Sequence, residues 1–233
     1  MAQVNTYYRR SKISEAKFRH LARCFALDLN ATETAHLTAL SVRSTNAIFL
    51  KIRHRLAQAC EADAFVNHAE VEVDESYFGP RRVPGKRGRA AGRKTLVFGI
   101  YHPIRGWDGR GGRVYTEIVE NAKAVTLQRV IRGRVGLDSV IYSDGWSGYH
   151  GLVDVGYAKH LRVKHSQDQF VDGRAHVNGL ESFWSFAKRR LAQFNGVPAG
   201  TFYLHLKECE WRFNHRRQDL YQALLELLRR HPI

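Results

Sequence analysis

The sequence predicts an α/β protein, a mixed sheet with flanking helices, preceded by a small all-helical module. Three observations predict it. Between residues 12 and 63 apolar side chains recur at helical spacing. From residue 69 the period shortens to that of strands, and from Val177 it becomes helical again. The resulting order is three strands, a helix, two strands and then helices, as an α/β layer with a mixed sheet requires. At 233 residues and 44% hydrophobic, the chain can bury a full core with a smaller module beside it. The expected division is residues 1–66 for the helical module and 67–233 for the α/β domain with its C-terminal helices.

In the first module Ser14 is placed to cap EAKFRHLARCFALDL, which carries Phe18, Leu21, Ala22, Phe25 and Leu29 on one face. Asn30-Ala31-Thr32-Glu33 restarts the chain into a short second helix, TETAHLTALS. After Ser41-Val42-Arg43-Ser44 comes STNAIFLKIRHRLAQAC, striped by Ile48, Ile52, Leu56 and Ala59. Two short helices, a tight link and a basic third helix fit a helix-turn-helix. Arg43, Ser44, Thr45 and Asn46 would then begin the helix that enters a major groove, with Lys51, Arg53 and Arg55 nearer phosphates. A plain three-helix bundle with a solvated basic face has the same pattern.

Charge favours the first reading. There are 37 Lys and Arg against 22 Asp and Glu, a net charge of +15. Such a field attracts a polyanion, nucleic acid ahead of an anionic membrane, because no segment reads as a basic amphipathic anchor distinct from a core helix. No apolar run is long enough for a membrane span, and MAQVNTYYRR lacks the apolar core of a signal peptide. Cys24, Cys60 and Cys209 are far apart with no CxxC pair, so a reducing cytoplasm is expected. His160, His165 and His176 match no structural zinc spacing.

The strand candidates are AEVEVDESYF, TLVFGIYH and RVYTEIVE, each bounded by Gly, Pro or charged loops. AVTLQRVIRGRV reads as a helix. SVIYSD is apolar enough for the interior of a sheet, and YAKHLRVKH holds a further short strand. The helices NGLESFWSFAKRRLAQF, GTFYLHLKECEWRFNHRR and LYQALLELLRR follow, the first closed by Asn195-Gly196-Val197-Pro198.

Three carboxylates stand out on these elements. Asp74 lies near the end of the first strand, with Glu72 on its face and Glu75 pointing away. Asp144 follows the fourth strand in YSDGWSGYH, at the carboxyl edge where ligands of α/β sheets gather. Glu181 lies in the first turns of its helix, beside a packing stripe of Leu180, Phe183, Ala187, Leu191 and Phe194. Lys188 is two turns on, at nearly the same azimuth and roughly 10 Å along the axis. Singly, Asp144-Gly145 could be a turn and Glu181 a first-turn acid favoured by the helix dipole. Clustered acids instead repel one another unless a divalent cation neutralises them. Mg²⁺ prefers oxygen ligands, and two such ions roughly 4 Å apart serve an in-line phosphoryl displacement. The segment after Asp74 holds seven Lys and Arg from Arg81 to Lys94 and no carboxylate, including Arg81, Arg82, Lys86, Arg87 and Arg89. Acids for a metal beside cations for a nucleic acid strand would explain the juxtaposition.

VDESYFG, YSDGWSGY and HVNGLESFWSFAKRRL resemble the three catalytic blocks of bacterial insertion-sequence transposases of the DDE class, in the compact subgroup whose last acid is trailed by a helical lysine. The resemblance covers about residues 69 to 215. It implies a ribonuclease H-like catalytic domain that cuts at the ends of its element and transfers the 3′-hydroxyl to target DNA. By that match Asp74, Asp144 and Glu181 would bind two Mg²⁺ ions, with Mn²⁺ able to substitute. Lys188 would be the trailing lysine, touching DNA together with Arg189. Relatives are similar in carrying His or Asn as third ligand, so Asn178, three residues before Glu181, is a further metal candidate beside His176. The implied partners are double-stranded DNA, at the element ends and the target, and a second copy of the chain, since two ends must be handled together. No membrane or nucleotide cofactor is implied. Many larger relatives begin with a zinc ribbon. Here the helix-turn-helix would have to recognise the terminal inverted repeat alone. Of Trp107, Trp146, Trp184 and Trp211, Trp146 and Trp184 adjoin catalytic blocks and are candidates to stack on unpaired bases. The alternatives are a ribonuclease H-like nuclease or resolvase without strand transfer, and a DNA-binding regulator with idle acids.

Replacing Arg81, Arg82, Lys86, Arg87 and Arg89 with Ser is expected to weaken binding to all DNA sequences alike. In a salt titration, log affinity against log salt should flatten by about 0.9 for each phosphate that the variant no longer neutralises. An unchanged slope would remove this segment from the DNA-binding surface.

Overall fold

The computed structural model describes residues 5–63, 70–79, 94–104, 111–144, 157, 159–163 and 178–233. Arg81, Arg82, Lys86, Arg87, Arg89, Trp146 and His176 lie outside the described residues, as do the side chains of Asp144 and Asn178. In chain order the first elements are α1 (Glu15–Ala26), α2 (Ala31–Thr38), α3 (Val42–Ala62), β1 (Glu70–Phe78), β2 (Thr95–Ile104) and β3 (Gly111–Val119). Then come α4 (Ala124–Arg134), β4 (Val140–Asp144), β5 (Lys159–Val163), α5 (Asn178–Ala192), α6 (Ala199–Asn214) and α7 (Leu220–Arg230). They form two compact units, Met1–Ala62 with His215–Ile233, and Asp63–Asn214.

The helical unit starts as its caps dictate. Ser14 Oγ accepts from Lys17 N, and Asn30 and Glu33 form a reciprocal capping box at the head of α2. Ala39 turns the chain in the left-handed region, φ 50°, between α2 and α3. Phe18, Leu21 and Phe25 of α1 and Ile48, Phe49, Ile52 and Leu56 of α3 are buried. The last helix departs from the sequence-based division, which joins it to the α/β domain. α7 packs against α1 within the helical unit, and Leu224, Leu225 and Leu228 are buried. Backbone bonds from Arg9 N to Ile233 O and from Ile233 N to Tyr7 O close this unit, with Arg55 donating to Pro232 O. The stripe of α7 is amphipathic wherever it docks, so periodicity could not identify its partner.

The second unit is a five-stranded mixed sheet ordered β3-β2-β1-β4-β5. β1 is antiparallel to β2 and parallel to β4; β2 and β3 are antiparallel, β4 and β5 parallel. This is a ribonuclease H-like sheet. Alternation along the strands sends Val71, Val73, Phe98, Ile100 and Tyr115 into a core with Leu127, Val130 and Ile131 of α4. Val97, Tyr101 and Val114 share the opposite core with Leu180, Phe183, Trp184 and Ala187 of α5 and Leu206, Cys209 and Phe213 of α6. Glu72 and Asp74, on the even positions of β1, belong to the α5 side.

β3 lies at the edge of the sheet, and α6 covers its free backbone groups with a polar stripe. Asn214 accepts from Val114 N at 2.7 Å and donates to Val114 O at 2.9 Å. Glu210 accepts from Thr116 N at 2.9 Å, and Lys207 donates to Thr116 O at 2.8 Å. The backbone groups of Val114 and Thr116 on that edge are thereby satisfied by side chains of α6. Glu208, on another face of α6, pairs with Arg212 and with Arg190 of α5, joining the two helices.

Candidate active site

The acid on β1 stands beside an acid on β4. Val73 pairs with Ser143 in the parallel ladder, and Asp74 and Asp144 are the next residues on the two strands. Parallel neighbours are about 4.8 Å apart. Asn178 is the first residue of α5.

α5 supplies the third acid, and its seat on the sheet is closely specified. Both Gly179 N (3.2 Å) and Leu180 N (3.4 Å) donate to Glu72 Oε2. A helix N-terminus has N–H groups without intrahelical partners, and a carboxylate there also complements the dipole. Two glycines make the approach possible. A Cβ on Gly179 would lie 2.3 Å from the Tyr101 ring, and one on Gly99 would lie 2.7 Å from the Trp184 ring and 2.8 Å from Leu180. Gly99 is the register partner of Asp74, so the bare position beside that acid is where the indole enters. Trp184 Nε1 donates to Asp74 Oδ2 at 2.9 Å, while its ring packs edge-on to Phe78.

Burial pushes the Glu72 carboxyl up to about 7; the two backbone N–H groups pull it down, and the charges of Glu181 and Asp74 raise it further. Those last two causes put Glu181 and Asp74 within electrostatic reach of Glu72. Glu181 itself is exposed, and Lys188 is exposed with its ammonium 5.7 Å from the Phe78 ring centroid. Thus Glu72, Asp74 and Phe78 on β1 are matched in turn by Gly179, Trp184 and Lys188 on α5. Arg189 is exposed and bonded to Ser185 Oγ.

The donor chemistry suits a hard cation. Asp74 and Glu181 offer carboxylate oxygen without Cys or His, and mutual repulsion is what a divalent ion relieves. No group of three His, Cys, Asp or Glu is drawn into a ligand cluster among the described residues, and the Asp144 side chain lies outside them.

In the helical unit α3 exposes Arg43, Asn46, Ala47, Leu50 and His54, which share one face at helical spacing. Ser44 and Lys51 are exposed to the side of it, Lys51 bonded to the Tyr8 hydroxyl. Two residues expected to meet DNA, Thr45 at the groove and Arg53 nearer phosphates, are not on the surface. Thr45 is buried, its hydroxyl donating to Ser41 O, and Arg53 is buried against the rings of Phe25 and Phe49. Thr45 falls on the packing side, between the azimuths of Ile52 and Leu56 when the turn is counted at 3.6 residues, a signal present in the sequence. Arg53 lies beside Ile52 and Leu56, and its aliphatic stem allows burial. Charge does not point to Ala47, Leu50 and His54; their helical spacing from Arg43 does. Trp184 is also corrected: at 5% exposure, with its N–H committed to Asp74, it has no free face for a base.

A ribonuclease H-like sheet with acids on its central strand, on the parallel neighbour and on the helix above them is the arrangement of DDE-class insertion-sequence transposases. The chain belongs to the family of ISXO2-like transposase domains, which its residues 68–214 match. It is 44% identical over 102 residues to an "uncharacterized transposase-like protein" of Haemophilus influenzae, covering 44% of this chain and 81% of that one. It is also 26% identical over 236 residues to an "uncharacterized protein in transposable element ISH50" of Halobacterium salinarum, covering 97% of this chain and 79% of that one. Enzymes of the DDE class use divalent metal ions. No helix among the described residues is long and apolar enough to cross a membrane.

Trp184→Phe retains the ring and removes the N–H held by Asp74. The expected result is a rise of about 10-fold in the Mg²⁺ concentration for half-maximal DNA cleavage, with the folded state retained. An unchanged Mg²⁺ requirement would separate this hydrogen bond from the chemistry.

Proposed function

We propose that the protein binds the terminal inverted repeats of its element, cuts at the ends and joins the freed 3′-hydroxyl to target DNA, acting in the cytoplasm as a dimer or larger assembly on DNA. The observation that carries this reading is the seat of α5 on β1, where Trp184 Nε1 donates to Asp74 Oδ2 and the α5 N-terminus donates to Glu72, with Asp144 following the β4 residue that pairs with Val73. Asp74, Asp144 and Glu181 hold the cations, and Asn178, at the start of the same helix, is a further oxygen donor. Two Mg²⁺ or Mn²⁺ ions bound there would supply Lewis-acid activation of the attacking oxygen and stabilisation of the leaving one. Trp184 fixes the orientation of Asp74 through Oδ2. Lys188, exposed at the far end of the same helical row, takes a phosphate next to the scissile position, with Arg189 beside it. The residues 81–94, rich in cations, hold the strand that is cut.

End recognition falls to α3. Arg43, Asn46, Ala47, Leu50 and His54 form its exposed face, and polar and apolar contacts from such a face read base edges in a major groove. Ser44 and Lys51 suit backbone phosphates, which fix register without reading sequence. A net charge of +15 favours both contacts.

Strand transfer by the purified full chain tests the reading, with the DNA flanking its gene as donor, a plasmid as target, and Mg²⁺ or Mn²⁺. Joined products are expected, and they should vanish in Asp74→Ala, Asp144→Asn and Glu181→Ala while DNA binding persists. Cleavage without joining would instead mark a nuclease or resolvase. Binding without cleavage in either metal would mark a DNA-binding regulator.

A further inference from the structure

The structure assigns Glu72 the part of a positioning residue, a carboxylate that holds the first turn of α5 on β1 and so sets where Glu181 stands relative to Asp74. This rests on the functional reading above for its effect on the reaction, though the hydrogen bonding itself does not. Glu72 is 6% exposed, whereas Glu181 is exposed. One oxygen, Oε2, accepts both the Gly179 and Leu180 N–H groups, across 107 and 108 residues of sequence. The oxygen of a cap is thus supplied by a strand.

The cap and its cradle form a single cross-strand unit. Glu72 pairs with Tyr101 of β2, and Tyr101 is the ring against which Gly179 rests. The absent Cβ at Gly179 lets its amide descend to the carboxylate. Leu180, next along, enters the space left by Gly99, which pairs with Asp74. Glu181 follows immediately and turns outward. A shift in the first turn of α5 therefore moves Glu181 directly, and it moves Trp184, which holds Asp74, one turn later. Glu72 acts by holding these groups through Oε2, which accepts from both backbone donors.

The cap needs an acceptor oxygen and not a charge, which gives a discriminating pair of variants. In Glu72→Gln the amide oxygen can accept the same two N–H groups. In Glu72→Ala nothing can. Hydrogen exchange of the full-length, metal-free protein should show Gly179 and Leu180 protected in the wild type and in Glu72→Gln, and exchanging faster in Glu72→Ala. Cleavage and joining should survive in Glu72→Gln and fall about 10- to 100-fold in Glu72→Ala, with a raised Mg²⁺ requirement. Gly179→Ala, which drives the helix off the same cradle, should reproduce the Glu72→Ala pattern, and it serves where Glu72→Ala does not fold. Loss of activity in Glu72→Gln with its amides still protected would overturn the assignment in favour of a charged ligand. Loss of protection in Glu72→Gln, or full protection and activity in both other variants, would overturn it as well. If the wild type neither cuts nor joins DNA in Mg²⁺ or Mn²⁺, the functional reading fails, while the amide exchange still decides whether Glu72 holds α5.

Discussion

Everything at the site depends on one constraint: α5 must lie along β1 at a single depth and a single offset. The acids involved are far apart in sequence, and neither strand nor helix alone sets the distance between them. The constraint is met by polar contacts on the central strand, Glu72 to the N-terminus of α5 and Asp74 to the Trp184 indole. Apolar packing alone would tolerate sliding, because Leu180, Phe183 and Ala187 can fill similar space at neighbouring offsets. Directional hydrogen bonds to buried groups do not, since an offset would leave a carboxylate or an N–H unpaired in a dry interior.

The same logic extends outward through α6. Its charged residues are buried and face two ways. Lys207, Glu210 and Asn214 complete the edge of β3, and Glu208 reaches Arg190 of α5. Burial pushes the Glu210 carboxyl up, and Lys207 and the Thr116 groups act against that rise. Buried ion pairs contribute little net stability, because desolvation offsets most of the attraction. The edge strand fixes α6, α6 braces α5, and α5 carries Glu181 and Lys188.

The parts of this architecture that depend on periodicity were legible in the sequence. The strand alternation in EVEVDESYF placed Glu72 and Asp74 on one face, and the helices of NGLESFWSFAKRR and LYQALLELLRR were visible from their stripes. The strands that carry Asp74 and Asp144 and the helix that carries Glu181 were legible through element order. What periodicity cannot reveal is the partner of a surface. α7 has an apolar stripe that would suit either unit, and it packs on α1. LKECEWRF reads as a helix with ordinary solvated charges, yet its lysine, both glutamates and its arginine are all buried. Lys207 and Glu210 find backbone partners on an edge strand some ninety residues earlier, and Glu208 reaches Arg190 on the preceding helix, partners about which local pattern carries no information. The glycines are similar. Gly99 looks like a weakness in a strand, and the Trp184 ring and Leu180 beside it explain the missing side chain.

The central claim, that a divalent cation binds where β1 and α5 meet, can be tested most directly without DNA. Trp184 donates its indole N–H to Asp74, so that proton reports on any ion at the carboxylate. Its NMR signal can be assigned by its loss in Trp184→Phe, then followed while Mn²⁺ is added to the metal-free protein. Selective paramagnetic broadening of the Trp184 indole signal, abolished in Asp74→Asn, is the expected result. A Trp184 signal that persists unbroadened at Mn²⁺ concentrations that support DNA cleavage would contradict a cation site at Asp74.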